Sequence, residues 1–553
     1  MAQRKQRWVW GNIVDVISKD IYPGCLKIRD GYIQKIYRLG NRPYLGRYII
    51  PGFIDAHVHI ESSLLVPSEF ARIAVRHGTI AAVSDPHEIA NVLGVDGVYY
   101  MIENGKQVPF KFYFGAPCCV PATCFETSGA VIGIPEMEEL LSNDDILSMS
   151  EVMNYPGVIY KDPDIWAKIN LAHSRGKIID GHAPLLRGKD LQTYFEAGIT
   201  TDHESVSLDE ALEKIDCGMK ILIREGSAAK NFEELAGLID LYPDLVMFCS
   251  DDKHPDDLVK GHINDLVRRS VERGLDLMNV LRAASLNPVR HYGLDIGLLQ
   301  RGDPADFLIV NNLKEFKIIA AFIKGQPVAR CDKSLIESVP FDTPNNFGVT
   351  EHIRPEDLAV LAEGPCIQAI GVMDGQIVTD CMKAATKEVE GYAVPDVEND
   401  VLKIAVVNRY SKASPTVGFV TGFGLDEGAI ASSVSHDSHN LVAVGTSDKA
   451  IADVLNLIID NRGGMAAVDG SGSRMVIPLP VAGIMSHRDG LTVAEQYAAL
   501  DAMSKKMGAT LQAPYMTLSF MSLLVIPHLK IGDIGLFDGD TFSFTGLFVE
   551  KEA

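Results

Sequence analysis

The chain has 553 residues and a formal charge of −22, from 51 Lys+Arg against 73 Asp+Glu, a balance that leaves no excess cations to displace the counterions of nucleic acid. With 47% hydrophobic and 22% charged residues it can bury enough apolar surface to offset the entropy of ordering, which excludes disorder; its length accommodates three or four domains of about 150 residues, or fewer if one is an α/β barrel of about 250. Apolar stretches such as Leu523 to Ile526 fall far short of the roughly 18 to 20 residues of a membrane span, no apolar run follows the basic N-terminal residues to make a secretory signal, and nine scattered cysteines without a C-x-x-C pair read as reduced thiols of a cytoplasmic protein.

In chain order, residues 8–48 carry short extended runs with turn signals at Tyr22-Pro23-Gly24 and Arg29-Asp30-Gly31, the pattern of β-hairpins. From about 50 to 285, strand-like and helix-like segments alternate. The predicted strands are Ile49–His57, Thr79–Ser84, Phe110–Gly115, Ile146–Val152, Lys177–Gly181, Ile199–Asp202, Met219–Arg224 and Leu245–Ser250, and the clearest helices are Pro67–His77, Ile89–Asn104, Ile165–Arg175 and Asp257–Arg273. Eight strands with helices between them fit a (β/α)8 barrel better than an open sheet. Hairpin material returns around Phe307–Val310 and Ile318–Ile323. The expected fold is therefore α/β: a barrel over 49–289, a small β domain from both of its flanks (1–48 with 290–345), and an additional C-terminal α+β domain over 346–553. Within the last, Thr421-Gly422-Phe423-Gly424 is too short for a phosphate loop and reads as a turn.

The chemistry-bearing residues gather at predicted C-terminal strand ends, where barrel enzymes assemble their sites. Strand one ends in His57-Val58-His59, and residues i and i+2 of a strand share a face, so both imidazoles can reach one ion; two ordinary histidines near a strand end fit that pair equally well. Weight comes from Glu151 on strand four, His182 after strand five, His203 after strand six and Asp251 after strand eight. Four imidazoles and two carboxylates at one barrel mouth suit a pair of divalent cations with a bridging carboxylate. Glu61 either contacts substrate or orients a metal-bound histidine. Glu204, Arg224 and Glu225 are candidates for the substrate's polar edge. Asp85, Pro86 and Glu88 read as a capping box, which leaves His87 either facing the site or not. His436, Asp437 and His439 read first as a polar turn between apolar segments, the other reading being an additional ion or a closure over the barrel mouth.

Pro51-Gly52-Phe53-Ile54-Asp55-Ala56-His57-Val58-His59 resembles the strand-one signature of the amidohydrolase superfamily, and Ile60-Glu61-Ser62-Ser63, Asp85-Pro86-His87-Glu88, Arg224-Glu225-Gly226-Ser227 and Ser250-Asp251-Asp252-Lys253-His254-Pro255 resemble its adenine deaminase branch. That resemblance runs from about residue 8 to the C-terminus. It implies a metal-dependent hydrolase with two divalent ions per chain, manganese or iron and with zinc as a further option, converting adenine to hypoxanthine and ammonia. Carried over by position, His57, His59 and Asp251 hold one ion, His182 and His203 the other, and Glu151 bridges where many relatives use a carboxylated lysine; Asp251 is the catalytic proton acceptor. The implied partner is a small purine, with no nucleic acid or membrane, in a homo-oligomer taken as a dimer. A hydantoinase- or dihydroorotase-like hydrolase on the same barrel and a non-catalytic barrel scaffold are the competing readings.

Overall fold

The computed structural model describes residues 6–40, 44, 46–348 and 351–550. Strands β1 (Gln6–Asp15), β2 (Asp20–Arg29) and β3 (Tyr32–Arg38) form an antiparallel meander, and β4 (Tyr48–Pro51) lies parallel to β1. The link from β2 to β3 is the pair Asp30-Gly31, at φ 53° and 87°, the two left-handed residues that a tight hairpin requires.

Eight parallel strands follow: β5 (Phe53–Val58), β6 (Thr79–Ser84), β7 (Lys111–Ala116), β8 (Ile146–Val152), β9 (Ile178–Gly181), β10 (Thr201–Asp202), β11 (Lys220–Arg224) and β12 (Val246–Cys249). Strands β5 to β9 form one parallel run and β10 to β12 another. Single bridges from Ile179 to Ile199 and from Val58 to Asp251 close the ring. Every residue of β5, β6 and β12 is buried, as expected of barrel strands covered on both faces.

Three predicted elements are corrected. Strand one is not continuous from Ile49 to His57: it breaks at Gly52, where a Cβ would run into Ile80, and Tyr48–Pro51 pairs outward with β13 (Phe307–Val310). Likewise the helix predicted over Ile89–Asn104 is two helices, His87–Leu93 and Val95–Gly105, and that over Asp257–Arg273 divides into Pro255–Lys260 and Ile263–Glu272.

After the barrel, β13, β14 (Ile318–Ile323), β15 (Gln326–Arg330) and β16 (Lys333–Ser334) join the first four strands in one eight-stranded sheet, ordered β16-β15-β14-β13-β4-β1-β2-β3. Val9, Ile13, Leu26, Ile49 and Phe307 form its core, with Phe307 stacked on Phe322 at 4.5 Å.

Residues beyond about 360 build a nine-stranded sheet. The helix Asp448–Asn461 buries Ile451, Val454, Leu455 and Ile458, a spacing that forms one apolar stripe, against the sheet's Ala431, Ala443 and Ala466. The barrel and the C-terminal region share a continuous core, in which Val92 and Ile89 belong to the same packed cluster as Val434 and Met521. No helix among the described residues is long and apolar enough to cross a membrane.

Candidate metal centre

Each predicted ligand is delivered by a strand end, and each is held there by a second polar layer. His57 lies in β5, and Asp55 two residues earlier accepts hydrogen bonds from the Ser250 amide at 3.0 Å, from the Ser250 hydroxyl and from His262 Nε2 at 2.8 Å. This ties β5 to β12 directly beneath the site. Asp180 plays the same part before His182, accepting from Thr201 and Tyr292 at 2.9 Å each. Asp202 before His203 pairs with the fully buried Lys214 at 2.9 Å. Asp251, at φ 53°, donates its amide to the His57 carbonyl at 3.0 Å; a short polar residue tolerates that left-handed geometry best.

The six side chains meet. His57 Nε2, His59 Nε2 and Asp251 Oδ1 form a triangle with edges of 3.2, 3.4 and 3.2 Å. Glu151 divides its oxygens: Oε2 lies 2.9 Å from His182 Nδ1 and 3.1 Å from His203 Nε2, while Oε1 lies 3.4 Å from His59 Nε2. All six residues are at most 7% exposed. Burial alone disfavours charge on His57, His59, Glu151, His182 and Asp251. Even so, Arg224 and the imidazoles beside it hold the Asp251 carboxyl well below the usual range, and His182 and His203 do the same for Glu151. Burial likewise opposes protonation of His182, but Glu204 and Glu151 outweigh it and raise its pKa to about 9.

The remaining candidates separate. Arg224 donates to Asp251 Oδ2 at 2.8 Å and grips both oxygens of Glu204, so both border the cluster, with Glu204 committed to the guanidinium. His87 faces the site, its Nδ1 3.4 Å from Glu151 Oε1. Glu61 does not orient a ligand: it accepts from the Ile89 amide at 3.2 Å, whereas His59 Nδ1 is held by the Asp85 carbonyl at 3.1 Å. Glu225 turns away, pairing with Arg269 at 2.8 Å in a separate cleft with Lys253 and Asp257. The capping-box reading is half right. Asp85 accepts from the His87 amide at 3.1 Å, but Glu88 reaches out of its helix to His436 and His439.

Residues 376–543 match the adenine deaminase C-terminal domain model, and residues 48–328 match the amidohydrolase family model. An adenine deaminase of Sulfurovum sp. is 54% identical, with 96% of this chain and 98% of that protein covered; one from Salinibacter ruber is 53% identical over 98% of each. The chain belongs to the adenine deaminase family. Among solved structures, a β-aspartyl dipeptidase from Fervidobacterium islandicum matches with a TM-score of 0.45 and 16% identity over 62% of this chain and 100% of its own.

For a member of this family, the donor set fits divalent cations. Ligand atoms about 2.0–2.2 Å from an ion stand about 3.0–3.6 Å from one another, which is the spacing of the His57-His59-Asp251 triangle. His57-Glu151-His203 and His182-His203-Glu204 also converge closely enough to share an ion, and His182 Nε2 and His203 Nε2 make no hydrogen bond. Nitrogen and carboxylate donors of this kind suit manganese, iron or zinc rather than an all-oxygen calcium site.

Sequence reasoning weighed a closure over the barrel mouth by His436, Asp437 and His439 only as its second reading, and did not find the apolar part of the wall that the C-terminal region contributes. Ile377, His436, Asp437, Phe520 and Leu523 line the cavity that also holds His59, Glu151 and Asp251. The segment read first as a polar turn, Ser435–Asn440, is at most 4% exposed throughout. Its signal was present as two histidines three residues apart in an almost wholly polar run, but a run of polar residues does not announce burial unless its partners are known.

Proposed function

We propose that this chain hydrolyses adenine to hypoxanthine and ammonia with two divalent ions, manganese or iron, at the barrel mouth. His57, His59 and Asp251 would hold one ion and His182 and His203 the other, with Glu151 offering one oxygen to each set. When bound, such ions supply acidified water, its pKa lowered from 15.7 to about 7, as a nucleophile at neutral pH. The chain's own groups then manage the proton. Arg224 fixes Oδ2 of Asp251, which leaves Oδ1 toward His57 and His59 to accept the proton of the incoming water and pass it to the departing amine. Water's oxygen adds to C6 of the purine, the bond from C6 to the exocyclic nitrogen breaks, and ammonia leaves. Phe520, Leu523 and Ile377 give a flat heterocycle an apolar wall and exclude bulk water.

The observation that carries the reaction class is the division of the Glu151 oxygens between two groups of ligands; the choice of adenine is supported by the near-full-length likeness to curated adenine deaminases. Ammonia release from adenine, adenosine, cytosine and hydantoin by the manganese-reconstituted chain tests it. Turnover of adenine above the others is expected, and turnover of hydantoin without adenine contradicts it.

A further inference from the structure

The C-terminal wall of the cavity carries polar groups that the proposed reaction leaves unused. His436 and Asp437 come from the segment joining strands Ala429–Ser432 and Leu441–Gly445, and both line the cavity that holds His59, Glu151 and Asp251. Each is 2% exposed. They lie across His87 from the assigned ligands: His87 Nδ1 is 3.4 Å from Glu151 Oε1, while its Nε2 is 3.8 Å from Asp437 Oδ1.

Glu88 fixes the orientation of His436. Its Oε1 accepts from His436 Nδ1 at 2.5 Å. Its Oε2 is 2.5 Å from Nε2 of His439, whose Nδ1 accepts from the Ser435 amide at 3.2 Å and so leaves the proton on Nε2. The carboxylate is thus taken up by two imidazoles. The His436 ring also stacks on Phe520, 4.5 Å away and within 15° of parallel, which sets the plane in which its second nitrogen can bond. That nitrogen, Nε2, is buried and makes no hydrogen bond, and neither does Oδ2 of Asp437. Buried polar atoms normally have partners.

The two atoms have opposite characters. Burial opposes a proton on His436, but Glu88 outweighs it and raises the pKa to about 9, so Nε2 is a donor at neutral pH. Burial raises Asp437 only to about 6, so its carboxylate is an acceptor there. Consecutive residues thus bring one donor and one acceptor to the cavity. A free purine presents the matching pair on a single edge, where N3 accepts and the nearby N9–H donates, and N3 stands opposite C6 in its ring. The other such pairs of adenine use the amino group, which is at C6, where water adds.

We propose that His436 and Asp437 read the N3–N9 edge of the substrate, Nε2 of His436 donating to N3 and Oδ2 of Asp437 accepting from N9–H, and so select the free base over nucleosides and other N9-substituted purines. This rests on the proposed adenine activity and names the groups that orient the base for it. A substituent at N9 removes the proton, sets bulk against a buried carboxylate and leaves Asp437 unpaired; a site built for such a bond discriminates strongly against analogues that lack it. Because the bonds form away from C6, their loss falls on binding more than on turnover.

The test is steady-state kinetics of the manganese-loaded full chain on adenine and 9-methyladenine, repeated with Asp437→Ala, together with crystals of the unmodified chain soaked in hypoxanthine. The unmodified chain should prefer adenine by at least about 100-fold in kcat/KM. Asp437→Ala, with unchanged metal content, should raise KM for adenine more than it lowers kcat and cut that preference below about 10-fold, since the methyl group takes the space of the lost carboxylate. A preference kept by the variant, or none in the unmodified chain, overturns the proposal. Should the variant not fold, the hypoxanthine complex decides: N3 and N9 within hydrogen-bond distance of His436 and Asp437 support it, and any other edge there overturns it. No turnover of adenine by the unmodified chain overturns the functional reading and this assignment with it, whereas adenine turnover with the preference kept in Asp437→Ala overturns this assignment alone.

Discussion

Asp251 is the residue on which most of the chemistry converges, and its two oxygens have separate duties. Oδ2 is held by Arg224, itself gripped by Glu204, while Oδ1 faces His57 and His59. Replacing it with asparagine preserves size and the backbone bond to His57 but removes the anionic oxygen that would accept a proton in the proposed reaction. Asp251→Asn should lower kcat for adenine by at least about 100-fold with an unchanged circular dichroism spectrum; near-normal turnover would remove Asp251 from its role. Strand periodicity foretold which side chains converge only as far as the strand itself runs. His57 and His59 share a face, but the strand stops at Val58 and Ile60–Ser63 is a short helical turn, so the i+2 pattern does not carry to Glu61, and of its two readings the geometry speaks against the orienting of a histidine. Arg224 and Glu225 are adjacent, and neighbours on a strand point to opposite faces; only Arg224 borders the site.

At the scale of elements, the alternation of apolar runs with helical stretches was enough to find all eight barrel strands. What periodicity could not show was where an element is cut by backbone geometry. Gly94 has φ 64° and ψ −144°, a region nearly closed to other residues, and it both ends the helix His87–Leu93 and starts the next. Its amide donates to Ala90 and its carbonyl accepts from Gly97, and a Cβ there would stand 3.1 Å from that of Ala130. The break matters because the first of these helices carries His87 and Glu88. Gly94→Ala should therefore cost about 1–3 kcal/mol of stability, read as a lower denaturant midpoint with an unchanged slope; an equal or higher midpoint would show that the turn can relax.

Across the whole molecule, distant pieces of chain complete one site. The barrel supplies the clustered histidines and carboxylates, the shared core of barrel and C-terminal residues holds the two regions together, and Phe520, Leu523 and His436 close the side that the barrel leaves open. The convergence of the six clustered side chains was legible because barrel enzymes place their chemistry at strand ends. The closing wall was legible only as the second reading of His436, Asp437 and His439, since long-range packing between Glu88 and His436 leaves no local pattern in the sequence. The central claim is that this barrel mouth deaminates adenine with bound divalent ions. It is tested most directly by ammonia release from adenine as manganese is returned to the chelator-stripped full chain: activity should be absent at first and rise to a plateau with added manganese, whereas full turnover by the stripped chain, or none at any manganese concentration, would contradict the account.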